Sequence, residues 1–294
     1  GRSYNVAMER IVLLMECNSV VYACSDDMHI FSAVMAPTVV WINICASGVT
    51  FDNCGGCMPV AAGAGIISAS SQGLIYTRLS RLTARHSVLV TTLGSVMCIC
   101  ACQPGSATAL RIAGITYGQS IFTVSAHNPG TVDEGTLTVV RQAPQSATSI
   151  CCSDSANIIA VGSLTSHVTI MNWSLDVLRR VQFSGPSRSL VWHMGTVVAV
   201  GTHLVSIDPI AGTVTGMYTV PYMRPHHVPC APCGSALTFV PYWCQVTIRP
   251  GHAGAHVHQR GIQDSPYSTA LLITKDTRYC LIGDCMGEVT VFTM

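Results

Sequence analysis

Residues 147–154 read ATSICCSD, 157–163 NIIAVGS, 167–172 HVTIMN and 177–183 VLRRVQF. The next stretch repeats the arrangement, with RSLVWHM at 188–194, TVVAVGTH at 196–203, LVSID at 204–208 and TVTGMYTV at 213–220. Each piece is a short apolar run bounded by turn residues. The second set follows the first at a spacing of about 40 residues. Val161-Gly162-Ser163 in one set is answered by Val200-Gly201-Thr202 in the other. Four short strands recurring at that spacing form the unit of a β-propeller blade. A lone four-stranded sheet cannot bury both of its faces, so the rest of the chain must supply more blades.

Working outward, similar runs fill the flanks. Arg2–Met8 reads as a strand with no partner in its own neighbourhood. Ile11–Glu16, Val20–Ser25, His29–Val34 and Thr38–Ile44 form one set of four. Val49–Asn53, Gly65–Ser70, Leu74–Arg78 and Leu82–Leu89 form a second, and Met97–Cys102, Leu110–Thr116, Ser120–Ser125 and Thr136–Arg141 a third. Beyond the two quoted sets, Pro221–Pro232 carries four prolines and reads as an inserted loop. Ala236–Val240 and Gln245–Arg249 read as strands, and Gly251–His258 as a Gly/His turn region. Thr269–Thr274, Tyr279–Gly283 and Glu288–Thr293 end the chain.

Small residues mark the repeat at Ala23, Ala69, Gly114, Gly162, Gly201 and Gly283. All steps are about one repeat long except the last, which is about two, so one weakly written blade lies between Gly201 and Gly283. The expected architecture is all-β, a seven-bladed WD40-like β-propeller formed by residues 1–294 as a single domain. The last set has only three strands, and the orphan Arg2–Met8 completes it as the outer strand. That closure removes the open sheet edges that invite aggregation. Gly1 is not a methionine, and the expectation is that this propeller is a C-terminal piece of a longer chain.

Composition fits sheets buried on both faces. Apolar residues make up 49% of the 294 and charged residues only 10%, against a globular norm of about 25% charged. A net charge of +1 gives no global field for nucleic acid or membrane. The fifteen cysteines sit mostly inside apolar runs, where a free thiol acts as a small hydrophobe. That placement points to a reducing, cytoplasmic setting rather than a secreted disulfide framework. Met28–Phe51, Asn53–Thr77 and His86–Leu110 lack charge and are long enough to span a bilayer, but Gly, Pro and polar breakers cut each into strand-length pieces. No transmembrane segment is expected.

WD repeats carry Trp-Asp at the end of the third strand of each blade. Here the corresponding pairs are Phe31-Ser32, Tyr76-Thr77, Met171-Asn172, Ile207-Asp208 and Phe292-Thr293. A bulky apolar residue is kept, but the acid survives only as Asp208, so packing must replace the usual His-to-Asp network. Asn157-Ile158-Ile159-Ala160-Val161-Gly162-Ser163 and Gly195–Leu204 resemble the later blades of the WD-repeat domain that ends BEACH-domain proteins of the neurobeachin and lysosomal-trafficking-regulator type. Thr274-Lys275-Asp276, Ile282-Gly283-Asp284 and Gly287-Glu288-Val289 resemble the last blade of that domain. The resemblance covers about a third of the chain. It implies a non-enzymatic protein-interaction scaffold in vesicle or lysosome-related traffic, peripheral on endomembranes through the parent protein.

Residues able to carry chemistry are few. Cys54-Gly-Gly-Cys57 and Cys230-Ala-Pro-Cys233 have a spacing that lets two thiolates reach one zinc ion. His226 and His227 precede the second pair, and His252, His256 and His258 follow it. These are the metal candidates; chance pairing in a chain rich in both residue types is the plainer reading. Neither pair sits at a strand-to-helix junction of the kind that activates a redox thiol. Asp26-Asp27 reads as a turn pair rather than an acid/base couple. No phosphate loop and no G-x-S-x-G elbow occurs. Leu178-Arg179-Arg180-Val181 differs from the Phe-Arg-Arg-Gly of phosphoinositide-binding propellers and reads as a charged outer strand edge.

The sequence therefore predicts a scaffold with no catalytic residues and no cofactor. Its partners would be other proteins, held by loops on the propeller faces, and not nucleic acid. The alternatives are an adaptor subunit of another assembly (coat, ubiquitin ligase or ribosome assembly) and a zinc-binding or hydrolytic propeller.

Overall fold

The computed structural model describes residues 1–27, 29–36, 39–44, 59–62, 64–70, 73–80, 82–90, 94–102, 109–127, 136–153, 156–219, 230–233, 236–239, 244–248, 255–259 and 268–294. They form seven antiparallel four-stranded sheets. The chain opens with β1 (Arg2–Asn5). Blade 1 is β2 (Ile11–Cys17), β3 (Val20–Ser25), β4 (Ile30–Ala33) and β5 (Ile42–Asn43). Blade 2 is β6 (Val60–Ala62), β7 (Gly65–Ser70), β8 (Gly73–Leu79) and β9 (Ala84–Val90). Blade 3 is β10 (Val96–Cys102), β11 (Ala109–Thr116), β12 (Ser120–His127) and β13 (Thr136–Gln142). Blade 4 is β14 (Ala147–Cys152), β15 (Ile158–Ser163), β16 (His167–Asn172) and β17 (Val177–Gln182). Blade 5 is β18 (Ser189–His193), β19 (Thr196–Val200), β20 (Leu204–Asp208) and β21 (Thr213–Tyr218). Blade 6 is β22 (Cys230–Cys233), β23 (Ala236–Phe239), β24 (Cys244–Ile248) and β25 (Ala255–Gln259). Blade 7 is β26 (Ser268–Ile273), β27 (Tyr279–Asp284) and β28 (Glu288–Thr293), completed by β1.

The core lies between blades rather than within them. Strand side chains alternate between faces, so each sheet feeds two seams. In blade 4, Ile150, Ile159 and Val161 pack with Ile115 and Ile121 of blade 3. Their neighbours Cys151, Ile158 and Ala160 pack instead with Leu190, Val197 and Ala199 of blade 5. Seven such apolar clusters fill the seven seams. This two-sided burial is the physical origin of the high apolar and low charged content. The first strands of successive blades approach one another around the centre, as β10 does β14 and β26 does β2.

The ring is closed as the sequence predicts. β1 runs antiparallel to β28, with Arg2 opposite Val291 and Asn5 opposite Glu288. Val6 and Ala7 then donate their N–H groups to the Gly287 carbonyl, each at 3.0 Å. Gly287 has φ +80°, and a Cβ there would strike the Ala7 backbone. Tyr4, Val6 and Ala7 cover the seam where Ile11, Leu14 and Ala23 meet Leu281, Val289 and Val291.

A one-residue bulge recurs near the start of the first strand in blades 1, 3, 4 and 7. In two of them the extra residue is a threonine that bridges a seam. Thr148 Oγ1 donates to the Ser187 carbonyl at the entry to blade 5 at 2.6 Å and also lies 3.4 Å from the Gly162 carbonyl. Thr269 Oγ1 donates to the Ile11 carbonyl of blade 1 and lies 3.3 Å from the Gly283 carbonyl. The glycines are there for closeness. A Cβ on Gly162 would meet Ser187, and one on Gly283 would meet Ile11.

Several sequence readings need correction. The predicted strand Val49–Asn53 lies outside the described residues, and the first strand of blade 2 is Val60–Ala62. Gly251–His258 was expected to be a turn region, but Ala255–Gln259 is the outer strand of blade 6. Its A-H-V-H-Q alternation has strand period, masked by histidines that do not score as apolar. The C-terminal end of the expected insertion is also a strand, Cys230–Cys233. The small-residue landmarks give the right number of blades but are not equivalent positions. Gly162 and Gly283 press on the following blade, whereas a Cβ on Gly114 would meet Phe122 of its own blade.

Two changes test this arrangement. Deleting residues 1–8 exposes the β28 edge and removes the partly buried Tyr4, Val6 and Ala7 that cover the seam, a loss of about 3 kcal/mol; the thermal midpoint should fall by several degrees, with aggregates on size exclusion. Thr148→Val keeps the shape and removes the inter-blade bond, so urea unfolding should show a loss of about 1 kcal/mol.

Candidate functional site

A central cavity of about 440 Å³ is walled by the first strands of blades 1 to 6. Its lining is apolar along Val12, Leu13, Val60 and Ala61, with Arg188 and Trp192 on the blade 5 side. The wall is rich in thiols. The alternation Val96-Met97-Cys98-Ile99-Cys100-Ala101-Cys102 puts every second residue of β10 on one face. Cys98, Cys100, Cys151, Cys152 and Cys230 all border this cavity.

At the seam between blades 3 and 4, the Cys152 thiol is hydrogen-bonded with Cys100 and with Cys102. Its hydrogen bond to Cys100 holds the Cys152 thiol well above the ordinary range. Burial pushes Cys100 up. Burial raises Cys151 as well, with the nearby Cys230 adding to it. Burial pushes Cys230 up to about 12. These groups are therefore neutral thiols at neutral pH, while the nucleophile in thiol chemistry is the thiolate. Ten described cysteines, Cys17 and Cys285 among the partly exposed ones, stand outside disulfides.

The sequence-derived metal candidates divide. Cys54, Cys57, His226, His227 and His252 lie outside the described residues. Cys230 and Cys233 stand in β22, opposite Phe239 and Ala236. His256 and His258 stand in β25, opposite Thr247 and Gln245. Among the described residues, no group of three or more histidine, cysteine or carboxylate side chains is arranged to hold a metal ion.

The carboxylates serve turns. Asp26 pairs with Arg10 at 3.0 Å, and Asp27 accepts from Ser25 Oγ, as expected of a turn pair. Asp176 accepts from Asn172, which lowers it below the ordinary carboxylate range together with Arg141 at 2.8 Å. Asp208 Oδ1 accepts the N–H groups of Ile210 and Ala211. Asp284 is buried and does the same for Met286 and Glu288. Burial raises Asp284 above the ordinary range, against the opposing pull of those two N–H groups. Leu178, Arg179 and Arg180 lie exposed on β17, the outer edge of blade 4, as the sequence suggested.

Sequence reading missed one polar cluster. Arg111 stacks 5.6 Å from the Trp173 ring centroid and donates to Asn157 Oδ1. Thr123 Oγ1 donates to the Trp173 carbonyl, so the group joins blades 3 and 4. These residues are tens of positions apart, and no local pattern links them. Exposed apolar side chains stand at turns on the ring, including Met194, Ile210, Leu82, Met286 and Met8.

The fold is shared widely among solved structures. The computationally designed Ika8 protein matches 99% of this chain with 98% of its own, at a TM-score of 0.62 and 12% identity. A chain of the mitotic checkpoint complex matches 100% of this chain with 91% of its own, at a TM-score of 0.71 and 9% identity. At such identities the likeness is one of fold: a seven-bladed β-propeller of WD40-like architecture. No protein-family model and no curated protein sequence matches this chain.

Two measurements follow. On brief iodoacetamide labelling at pH 8, peptide mass spectrometry should find Cys100, Cys151 and Cys230 modified at least about tenfold more slowly than Cys17 and Cys285, a difference that denaturant removes. For Asp284, a folded-state value above the unfolded one means its stabilising contribution is complete below the unfolded value and is lost as pH rises through the folded one. Asp284→Asn keeps an acceptor for both N–H groups and cannot ionise, so at pH 7 it should match or exceed the parent in urea unfolding. Asp284→Ala should lose about 1–2 kcal/mol.

Proposed function

We propose that this chain is a non-enzymatic protein-interaction scaffold and that it acts as the propeller of a BEACH-type protein in vesicle and lysosome-related traffic. The observation that carries the scaffold reading is the division of labour among side chains. The carboxylates discussed above are spent on turns, and the channel thiols are held neutral. Meanwhile large apolar side chains such as Met194 and Ile210 are 71% exposed at turns. Rigidly displayed loops with apolar tips suit protein docking rather than bond chemistry. The trafficking assignment rests on the resemblance of Asn157–Ser163, Gly195–Leu204 and the last blade. Ten described cysteines outside disulfides fit a reducing compartment, and hence the cytoplasmic side of endomembranes. No helix among the described residues is long and apolar enough to cross a membrane.

The test uses the full chain fused to a proximity-labelling enzyme in cells. Vesicle and lysosome-related membrane proteins should dominate the labelled set. A double variant Met194→Asp, Ile210→Asp, with an unchanged thermal midpoint, should lose at least about half of that set. Labelling confined to ribosome-assembly or ubiquitin-ligase components would refute the trafficking role, and a set unchanged by the variant would refute these tips as docking points.

A further inference from the structure

Resting on the scaffold reading above, we propose that β21, the outer strand of blade 5, accepts an added strand from an acidic, extended peptide segment of a partner protein. β21 pairs with β20 alone, and among the described residues nothing bonds the outer side of Thr213–Met217. Such an edge offers a row of N–H and C=O groups to another chain.

The outer strands of the other blades are guarded. β9 carries Arg85, β13 Arg141, β17 Arg179 and Arg180, and β1 Arg2; β25 carries His256 and His258. β5 is only two residues long. Charge and shortness both discourage edge pairing. β21 reads Thr-Val-Thr-Gly-Met-Tyr, with no charge, no imidazole and no proline.

The surroundings of β21 supply the specificity. Val214 and Met217 stand opposite Ile207 and Val205, and directly opposed residues share a face. Ile207 and Val205 belong to the core between blades 4 and 5. Val214 and Met217 therefore carry that apolar seam out to the rim, where they are 40% and 51% exposed. Ser184 Oγ of blade 4 donates to Met217 Sδ at 3.9 Å. Arg179 stands opposite Ile170 on the same seam. Its side chain crosses to blade 5 and lies against Gly212, where a Cβ would come within 2.9 Å of Arg179 Cδ. Among the described residues, no carboxylate pairs with Arg179 or Arg180. Asp176, the acid just before β17, is already held by Arg141 and Asn172.

A peptide laid along β21 thus meets open backbone groups, two apolar side chains and, at the Thr213 end, an uncompensated guanidinium. Main-chain bonds give such a complex affinity, and alternate side chains give it specificity. A second copy of this chain would bring the same arginines to the edge, whereas an acidic segment neutralises them.

The experiment selects phage-displayed random peptides on the immobilised full chain and measures the selected peptides, once synthesised, by fluorescence anisotropy. They should place Asp or Glu among alternating apolar residues. Val214→Lys, which gives β21 a guard like those of its neighbours, and Arg179→Glu should each weaken binding at least about tenfold with an unchanged thermal midpoint. Thr215→Lys is the second edge variant should Val214→Lys disturb the seam. Arg85→Glu should bind as the parent does. N-methylation of one alternating set of peptide amides should abolish binding and of the other set should not, because only one set faces the strand. The proposal is overturned if no acidic peptide is selected, if the edge variants and Arg179→Glu leave affinity unchanged, if both N-methylated sets bind alike, or if light scattering finds a dimer that Val214→Lys dissolves. If it is overturned while Met194→Asp, Ile210→Asp still strips the proximity-labelled set, the scaffold reading stands without this edge; if neither that variant nor Val214→Lys changes the set, both fall.

Discussion

Apolar contact between neighbouring sheets is the constraint from which the rest of the molecule follows. No blade owns a core. Ile150 serves one seam and Cys151, next to it, serves the other. A sheet that must bury both faces needs a neighbour on each side, and only a closed ring gives every sheet two. The scarcity of charge, the run-on apolar strands and the cysteines used as small hydrophobes are consequences of that requirement. So is the Thr148 and Thr269 device, in which a bulged hydroxyl ties its own blade to the next where a glycine allows close approach.

The same requirement shapes the polar and sulfur groups. Burial in the seams suppresses thiolates, and short hairpins consume carboxylates as turn acceptors. Asp208 caps its own turn through the Ile210 and Ala211 N–H groups, and the blades are held to one another by packing, which leaves the loops free to vary. That separation of a fixed ring from variable tips is the physical basis for reading the molecule as a platform. Fold alone does not assign a partner.

Blades 4 and 5 were legible in the sequence because their strands are short, apolar and cleanly separated by turn residues. Ring closure was legible because Arg2–Met8 had no local partner and the last blade lacked a strand. Blade 6 was hard to read because its outer strand alternates alanine and valine with histidines, and because Cys230–Cys233 begins beside a run of prolines. Cys98, Cys100 and Cys102 announced a strand, but nothing local to them announced Cys152 across the seam. Arg111 and Trp173 were equally silent, because their meeting depends on which blade follows which.

The two-ended seventh sheet also governs how the molecule is made. Thr269 bonds to Ile11 across 258 positions of chain, and contacts of such separation form late. Blade 7 is made after the other six sheets, so an arc without it leaves two greasy flanks uncovered, and that interval is when the unclosed ring is most open to sticking to other chains.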